Sequence, residues 1–268
     1  MSTGNKLQSL KSKMPKFKKL IVKLSLSIIA LLILGGAYMF IRYNYIPNRR
    51  VDEIIQNFEN GDENTKIEYA IQILSVKSDW YEQYYEQDYD TYCKIEELLE
   101  DKGYLNKSFE YIESMAFNGN AKCQYYLGKL YFNPHFNGVW QEMKRIVDYD
   151  WDIYYYWIIK AAEQGFVEAY YDAAEYYQNK RIGYDDRKDR PVYAYDEKGL
   201  EYIIKGALAG DDRCQLIYGD LILQNGQIPD GPKKRCTEEE FEEAKEWWRM
   251  SAKQGNKTAK KRLQTMFD

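Results

Sequence analysis

The side chains that usually carry catalysis are sparse in these 268 residues. His135 is the sole histidine, so chemistry built on paired or triple imidazoles is excluded, and a metal there would need carboxylates as its other ligands. Asp148-x-Asp150-x-Asp152 has the spacing that opens a calcium loop. It lacks the glycine at position six and the bidentate glutamate at position twelve, and it reads as an acidic loop before a helix. No phosphate-cradling glycine loop, nucleophile elbow or zinc pattern is present, and no cofactor is expected. Cys93, Cys123, Cys214 and Cys236 are too few for a disulfide scaffold. Outside the cytoplasm, pairs such as Cys93–Cys123 or Cys214–Cys236 are permitted, and the connectivity stays open. What is abundant is tyrosine, at 27 residues. Tyr binds more readily than it reacts, because it joins a large apolar face to a polar tip.

The elements that must position these side chains show themselves as a repeat. The stretches beginning at Tyr111, Trp157, Tyr202 and Trp247 align with offsets of 46, 45 and 45 residues. An aromatic opens each stretch. Ala116, Ala162, Ala207 and Ala252 follow in register, then Gly119, Gly165, Gly210 and Gly255. A small residue comes four later, at Cys123, Ala169, Cys214 and Ala259. A fixed period of this length signals a solenoid, whose units bury their faces only by stacking on neighbours. The glycine ends one helix, called B, and the next helix, A, begins just after it. In helix A of the first full unit, Cys123, Leu127, Gly128 and Tyr131 share one face, and Gly128 allows a neighbouring helix close in. The opening aromatic is read as the bulky filler of helix B.

These columns resemble the Sel1-like repeat family, a branch of the tetratricopeptide-like α/α solenoids. Cys123…Leu127-Gly128…Tyr131 is similar to its helix A, and Trp157…Ala161-Ala162…Gly165 and Trp247…Ala252…Gly255 to its helix B. The chain departs from the family at Ala173-Ala174 and Tyr218-Gly219, which replace Leu-Gly, and in the long A-to-B loops near 132–152, 178–198 and 223–237. The resemblance covers residues 105–268 well and 51–104 poorly; the latter reads as a degenerate first repeat with a Tyr- and acid-rich insertion at 76–102. Thr237-x-x-Glu240 is a capping box for the last helix B. The outer face of the final helix carries Lys257, Lys260, Lys261 and Arg262, as a polar cap should. The resemblance implies an all-α fold and a non-catalytic role in binding protein or peptide. In bacteria it further implies an adaptor for envelope assembly or signalling, or an immunity protein that caps a delivered toxin. Positions two and six after the small residue, Tyr125 and Lys129, Tyr171 and Glu175, Leu216 and Asp220, point away from the packing face. Such rows line the concave face of related solenoids, so these six are the candidate protein-binding residues.

Ahead of the repeats lies a segment of different character. Residues 1–50 hold seven Lys, three Arg and no acid, a charge of +10; the whole chain is at −4, so residues 51–268 carry −14. An acidic body argues against nucleic acid as a partner and for a protein with a basic patch. Residues 24–41 are uncharged and mostly apolar, and with Leu20, Ile21 and Val22 the stretch 20–41 is long enough to span a bilayer. The seven Lys before residue 24 place the tail, residues 1–19, in the cytoplasm and the repeats outside, at the periplasm or cell surface. A cleaved signal peptide, with Leu31–Leu34 as its apolar core and Gly35-Gly36-Ala37 at the cut, is the alternative.

Overall fold

The computed structural model describes residues 31–75, 89–132, 147–148, 150–178, 180–185, 190–224 and 237–264. Those residues form two compact units, one from 31–69 with 89–104 and one from 70–75 with 105–264. His135, Cys236, residues 225–236 of the third long loop and residues 76–88 of the insertion lie outside the described residues.

The first unit opens with a helical backbone over residues 31–40, which passes through a π-helical turn, Ile41–Tyr45, into α1, Ile46–Asn60. Pro47 explains the wide turn. It has no N–H to donate, and its ring crowds the carbonyl four residues back. The neighbouring Ile46 N–H reaches five residues back to the carbonyl of Ile41 instead. In α1, Pro47, Val51, Ile54 and Phe58 recur at helical spacing and are buried. This face packs on α3, Tyr89–Asp101, which is the second half of the insertion and is helical. α2, Glu63–Ser75, begins after Gly61, with Asp62 Oδ1 accepting from the Thr65 N–H at 2.8 Å. Among the described residues no helix is long and apolar enough to cross a membrane. Residues 20–30 of the expected span lie outside the described residues.

The second unit runs α4 (Tyr104–Phe117), α5 (Ala121–Phe132), α6 (Trp151–Glu163), α7 (Ala169–Tyr176), α8 (Glu197–Ala209), α9 (Asp212–Gln224), α10 (Glu238–Lys253) and α11 (Lys257–Gln264). From α5 onward each helix packs on the next in chain order, and α7 also reaches α9. Four turns repeat with the same geometry. Gly119, Gly165, Gly210 and Gly255 all have φ near +90°, between 86° and 105°, where a Cβ would be strained. The residue after each glycine donates its N–H to the carbonyl five residues back, as Asp211 does to Gly206 at 2.9 Å. That residue also caps the next helix: Asn120, Asp211 and Asn256 accept from the N–H of Cys123, Cys214 and Ala259. In the remaining unit Phe166 holds this place and stacks near Tyr125, with centroids 5.3 Å apart.

The small-residue column, Cys123, Ala169, Cys214 and Ala259, is fully buried. The bulky column stands one residue later than the aromatics suggested. Ile112, Ile158, Ile203 and Trp248 are each at 0% exposure, whereas Trp247 is only partly buried and packs on Tyr218. The reason is a small residue opposite. A Cβ on Gly128 would lie 3.1 Å from Ile158, and one on Gly219 would lie 2.7 Å from Trp248 Nε1. Trp157 and Tyr202 are nonetheless buried beside their isoleucines.

Cys93, Cys123 and Cys214 form no disulfide, and the latter two serve as small apolar fillers, with Cys214 pressed against Gly206. The repeats are α/α helix pairs as expected, and the loop 178–198 adds an antiparallel hairpin, β1 (Lys180–Asp185) and β2 (Arg190–Ala194), with an irregularity between Arg181 and Gly183. Arg262 does not belong to the polar cap, since it pairs back onto Asp220 in α9. The capping box at Thr237 and Glu240 is present with both of its bonds.

Two long insertions are pinched off at the base by the same bond. The Asp150 N–H donates to the Tyr131 carbonyl at 3.1 Å, and the Asp196 N–H to the Tyr177 carbonyl at 3.1 Å. Each Asp then caps the following helix with its carboxylate, accepting from Ile153 and Gly199 respectively. Asp150 of the calcium-like triplet is therefore a helix cap.

Candidate functional site: the inner row of the repeats

The row of positions two and six after the small residue lies on α5, α7 and α9, within the second unit. All six residues are half-buried, not open to solvent on one side as the spacing suggested. The cause is a charged network that neighbouring helices close over them. Asp172 in α7 is 6% exposed and receives two cations. Lys129 Nζ in α5 is 3.2 Å from one carboxylate oxygen and Arg213 of α9 is 3.1 Å from the other. Arg213 also donates to Asp211 at 3.3 Å and to the Glu168 carbonyl at 2.8 Å. Its guanidinium stacks 4.7 Å from the Tyr171 ring centroid. Burial opposes that charge, and Asp172 and Asp211 outweigh it, raising the Arg213 pKa.

Aromatic rings fill the space between the charges. Lys129 Nζ lies within 5.8 Å of the ring centroids of Tyr125, Phe132 and Tyr154, at cation–π distance. Burial first, and the Asp172 charge second, raise the hydroxyls of Tyr125 and Tyr154 above the usual phenol range. Tyr171 and Tyr195 are raised by burial and then by Glu175, which accepts from Tyr195 at 3.0 Å. Further along the row, Asp220 accepts two bonds from Arg262, at 3.2 and 3.0 Å, while the Leu216 carbonyl accepts from Trp248 Nε1 at 3.3 Å. Each unit is thus tied to the next by side chains about forty positions apart.

A second ladder runs beside the first. Gln124, buried, donates to the Ala116 carbonyl and accepts from Gln164 at 2.6 Å. Gln215 donates to the Ala207 carbonyl and accepts from Gln254 at 3.0 Å. In the unit between, Tyr170 and Ala209 hold the equivalent places, so polar partners occur together or are replaced together. Neither Asp172, Arg213 nor the glutamines were among the candidates read from sequence. The glutamines left a signal, one residue after the small column and one before the glycine. Asp172 and Arg213 left none, because their columns hold Tyr126, Ile217 and Arg262, and Lys122, Glu168 and Thr258, in the other units.

The chemistry on offer here is recognition. Neutral phenols give hydroxyl tips on broad faces, and the paired charges hold those faces in fixed orientation.

No protein-family model matches the chain, and neither does any curated protein. Solved structures do. A Sel1 repeat protein from Oxalobacter formigenes is 23% identical with a TM-score of 0.39, over 57% of this chain and 95% of that one. A protective antigen of uropathogenic Escherichia coli strains that displays an SLR fold is 22% identical with a TM-score of 0.41, over 84% of this chain. The alignment takes in 46% of that antigen's own length.

Proposed function

We propose that this chain is a non-catalytic scaffold of Sel1-like repeats that binds a protein or peptide at the cell envelope, held there by a single N-terminal membrane helix with the repeats outside the cytoplasm. The observation that carries the binding role is the inner row. Tyr125, Lys129, Tyr171, Glu175, Leu216 and Asp220 stand half-buried on the alternate helices α5, α7 and α9, and the Lys129–Asp172–Arg213 and Asp220–Arg262 pairs tie those helices to one another and to α11 before any partner arrives. Preorganised aromatic faces lose little side-chain entropy on binding. The −14 charge of residues 51–268 suits a partner with a basic patch and gives an association that weakens with salt. The membrane reading is supported by the side chains at 31–41, where Leu31 is 69% and Phe40 62% exposed, and by the lysine-rich segment before them.

Cross-linked capture from the native membrane tests the binding role. Tyr171→Ala with Leu216→Ala should reduce recovery of the partner at wild-type expression. The pair Phe117→Ser and Leu208→Ser, whose side chains are 70% and 71% exposed on helix B, should leave it unchanged. The reverse result would move the interface to the B helices. A reporter fused after Asp268 should be active outside the cytoplasm, and cytoplasmic activity would overturn the topology.

A further inference from the structure

The backbone is helical without a break from residue 31 to Asn60, through the π turn at Ile41–Tyr45. At 1.5 Å per residue this rod is about 45 Å long. Its character changes once along the way. Leu31, Leu32, Ile33 and Leu34, then Met39, Phe40 and Ile41, are exposed on every side of the helix, which demands an apolar medium around it. From Pro47 onward only one face is apolar, and that face is buried against α3.

The change falls at residues 42–50, which hold Arg42, Arg49 and Arg50 and no acid. Tyr43 and Tyr45 lie within the same zone, and Tyr38 stands one turn before it. The Arg42 guanidinium donates to the Tyr38 hydroxyl at 3.1 Å and lies 5.7 Å from the Tyr43 ring centroid, while Arg49 and Arg50 are exposed. A basic zone ringed by amphipathic aromatics, where an all-apolar helix becomes one-sided, matches the headgroup layer of a bilayer in polarity and in sign of charge.

We propose that Arg42, Arg49 and Arg50 bind the phosphates of anionic phospholipid headgroups, so that the first unit rides on the bilayer surface as a rigid extension of the anchor. This rests on the membrane-anchor reading above. The unbroken helix from residue 31 into α1 leaves the unit no flexible linker on which to swing away. It also makes the emerging end of the anchor, as well as the lysine-rich tail, a lipid-selective element.

The test uses the full-length protein reconstituted into phosphatidylcholine vesicles doped with phosphatidylglycerol. Spin-labelled analogues of the two lipids report which one the protein restrains. Wild type should favour phosphatidylglycerol. The triple variant Arg42→Gln, Arg49→Gln, Arg50→Gln should lose about half of that preference or more, since each surface cation interacts appreciably with anionic lipid. The corresponding triple Arg→Lys variant should retain it, which separates lost charge from disturbed folding. A Gln variant with wild-type preference would overturn the headgroup site. Extraction of the wild-type protein from the vesicles by carbonate would instead overturn the anchor itself.

Discussion

At the scale of single residues, the deciding contacts lie one position away from the conspicuous ones. Trp247 occupies the aromatic column in sequence, yet Trp248 fills the interior, because Gly219 leaves room opposite it. Trp248→Ala should therefore destabilise the fold by about 3–5 kcal/mol, as large aromatic truncations in cores do. Trp247→Ala should cost less than half of that, and chemical unfolding of the two variants side by side checks the order. The thiols give a second contrast. Burial, and then the charge of Asp211, push the Cys214 thiol well above its usual range. A thiolate is the reactive species, so Cys214 should resist alkylation in the native protein. Cys93, only partly buried, should react first. Mass spectrometry of peptides labelled before and after denaturation reads both sites, and native labelling of Cys214 would contradict its packing.

At the scale of elements, the repeat separates what must be kept from what can vary. The turn glycines, the Asn or Asp that follows them and the small-residue column recur because each satisfies a backbone or steric demand at the same place. The long loops vary because the Tyr131–Asp150 and Tyr177–Asp196 backbone bonds close their bases. Loop-closure entropy changes slowly with length, so what hangs beyond a pinched base matters little to the stack. Replacing residues 180–194 by a short Gly-Ser linker should shift the melting temperature by only a few degrees, about 1 kcal/mol or less. A collapse of the helical circular dichroism signal would show that the hairpin supports the stack. The turns were legible in sequence, since glycine at a fixed period has one common use. The hairpin was not, because Lys180–Asp185 and Arg190–Ala194 fall where the repeat supplies no register.

At the scale of the whole molecule, the second unit is a chain of helices held by buried tyrosines as much as by aliphatic side chains. This predicts alkaline sensitivity. Tyr125, Tyr154, Tyr171 and Tyr195 are raised above the usual phenol range by burial, and Tyr202 to about 12. An unfolded tyrosine releases its proton near about pH 10. Above that pH the unfolded chain holds fewer protons than the native one, so stability falls as pH rises. It should be constant up to about pH 9 and drop steeply from about pH 10 onward. A fraction of the phenolate absorbance should then appear only with loss of helix, and full ionisation of all the tyrosines while the helix signal stays intact would argue that these hydroxyls are not buried. The same tyrosines, tied across units by Lys129, Asp172, Arg213 and Glu175, give the proposed binding row its rigidity.

The repeat can be read from residue types alone: its period, its turn glycines, its small-residue column and the basic, apolar character of the first 50 residues. These follow from local demands, namely left-handed backbone, helical spacing and charge count, that a residue type meets without knowing its distant neighbours. Only the packing of distant helices settles which bulky side chain enters each gap and that Asp172 gathers Lys129 and Arg213 beneath the row. Those outcomes depend on helices about forty residues apart meeting at a given height and rotation. Side-chain volume and buried charge select among the arrangements that the repeat permits.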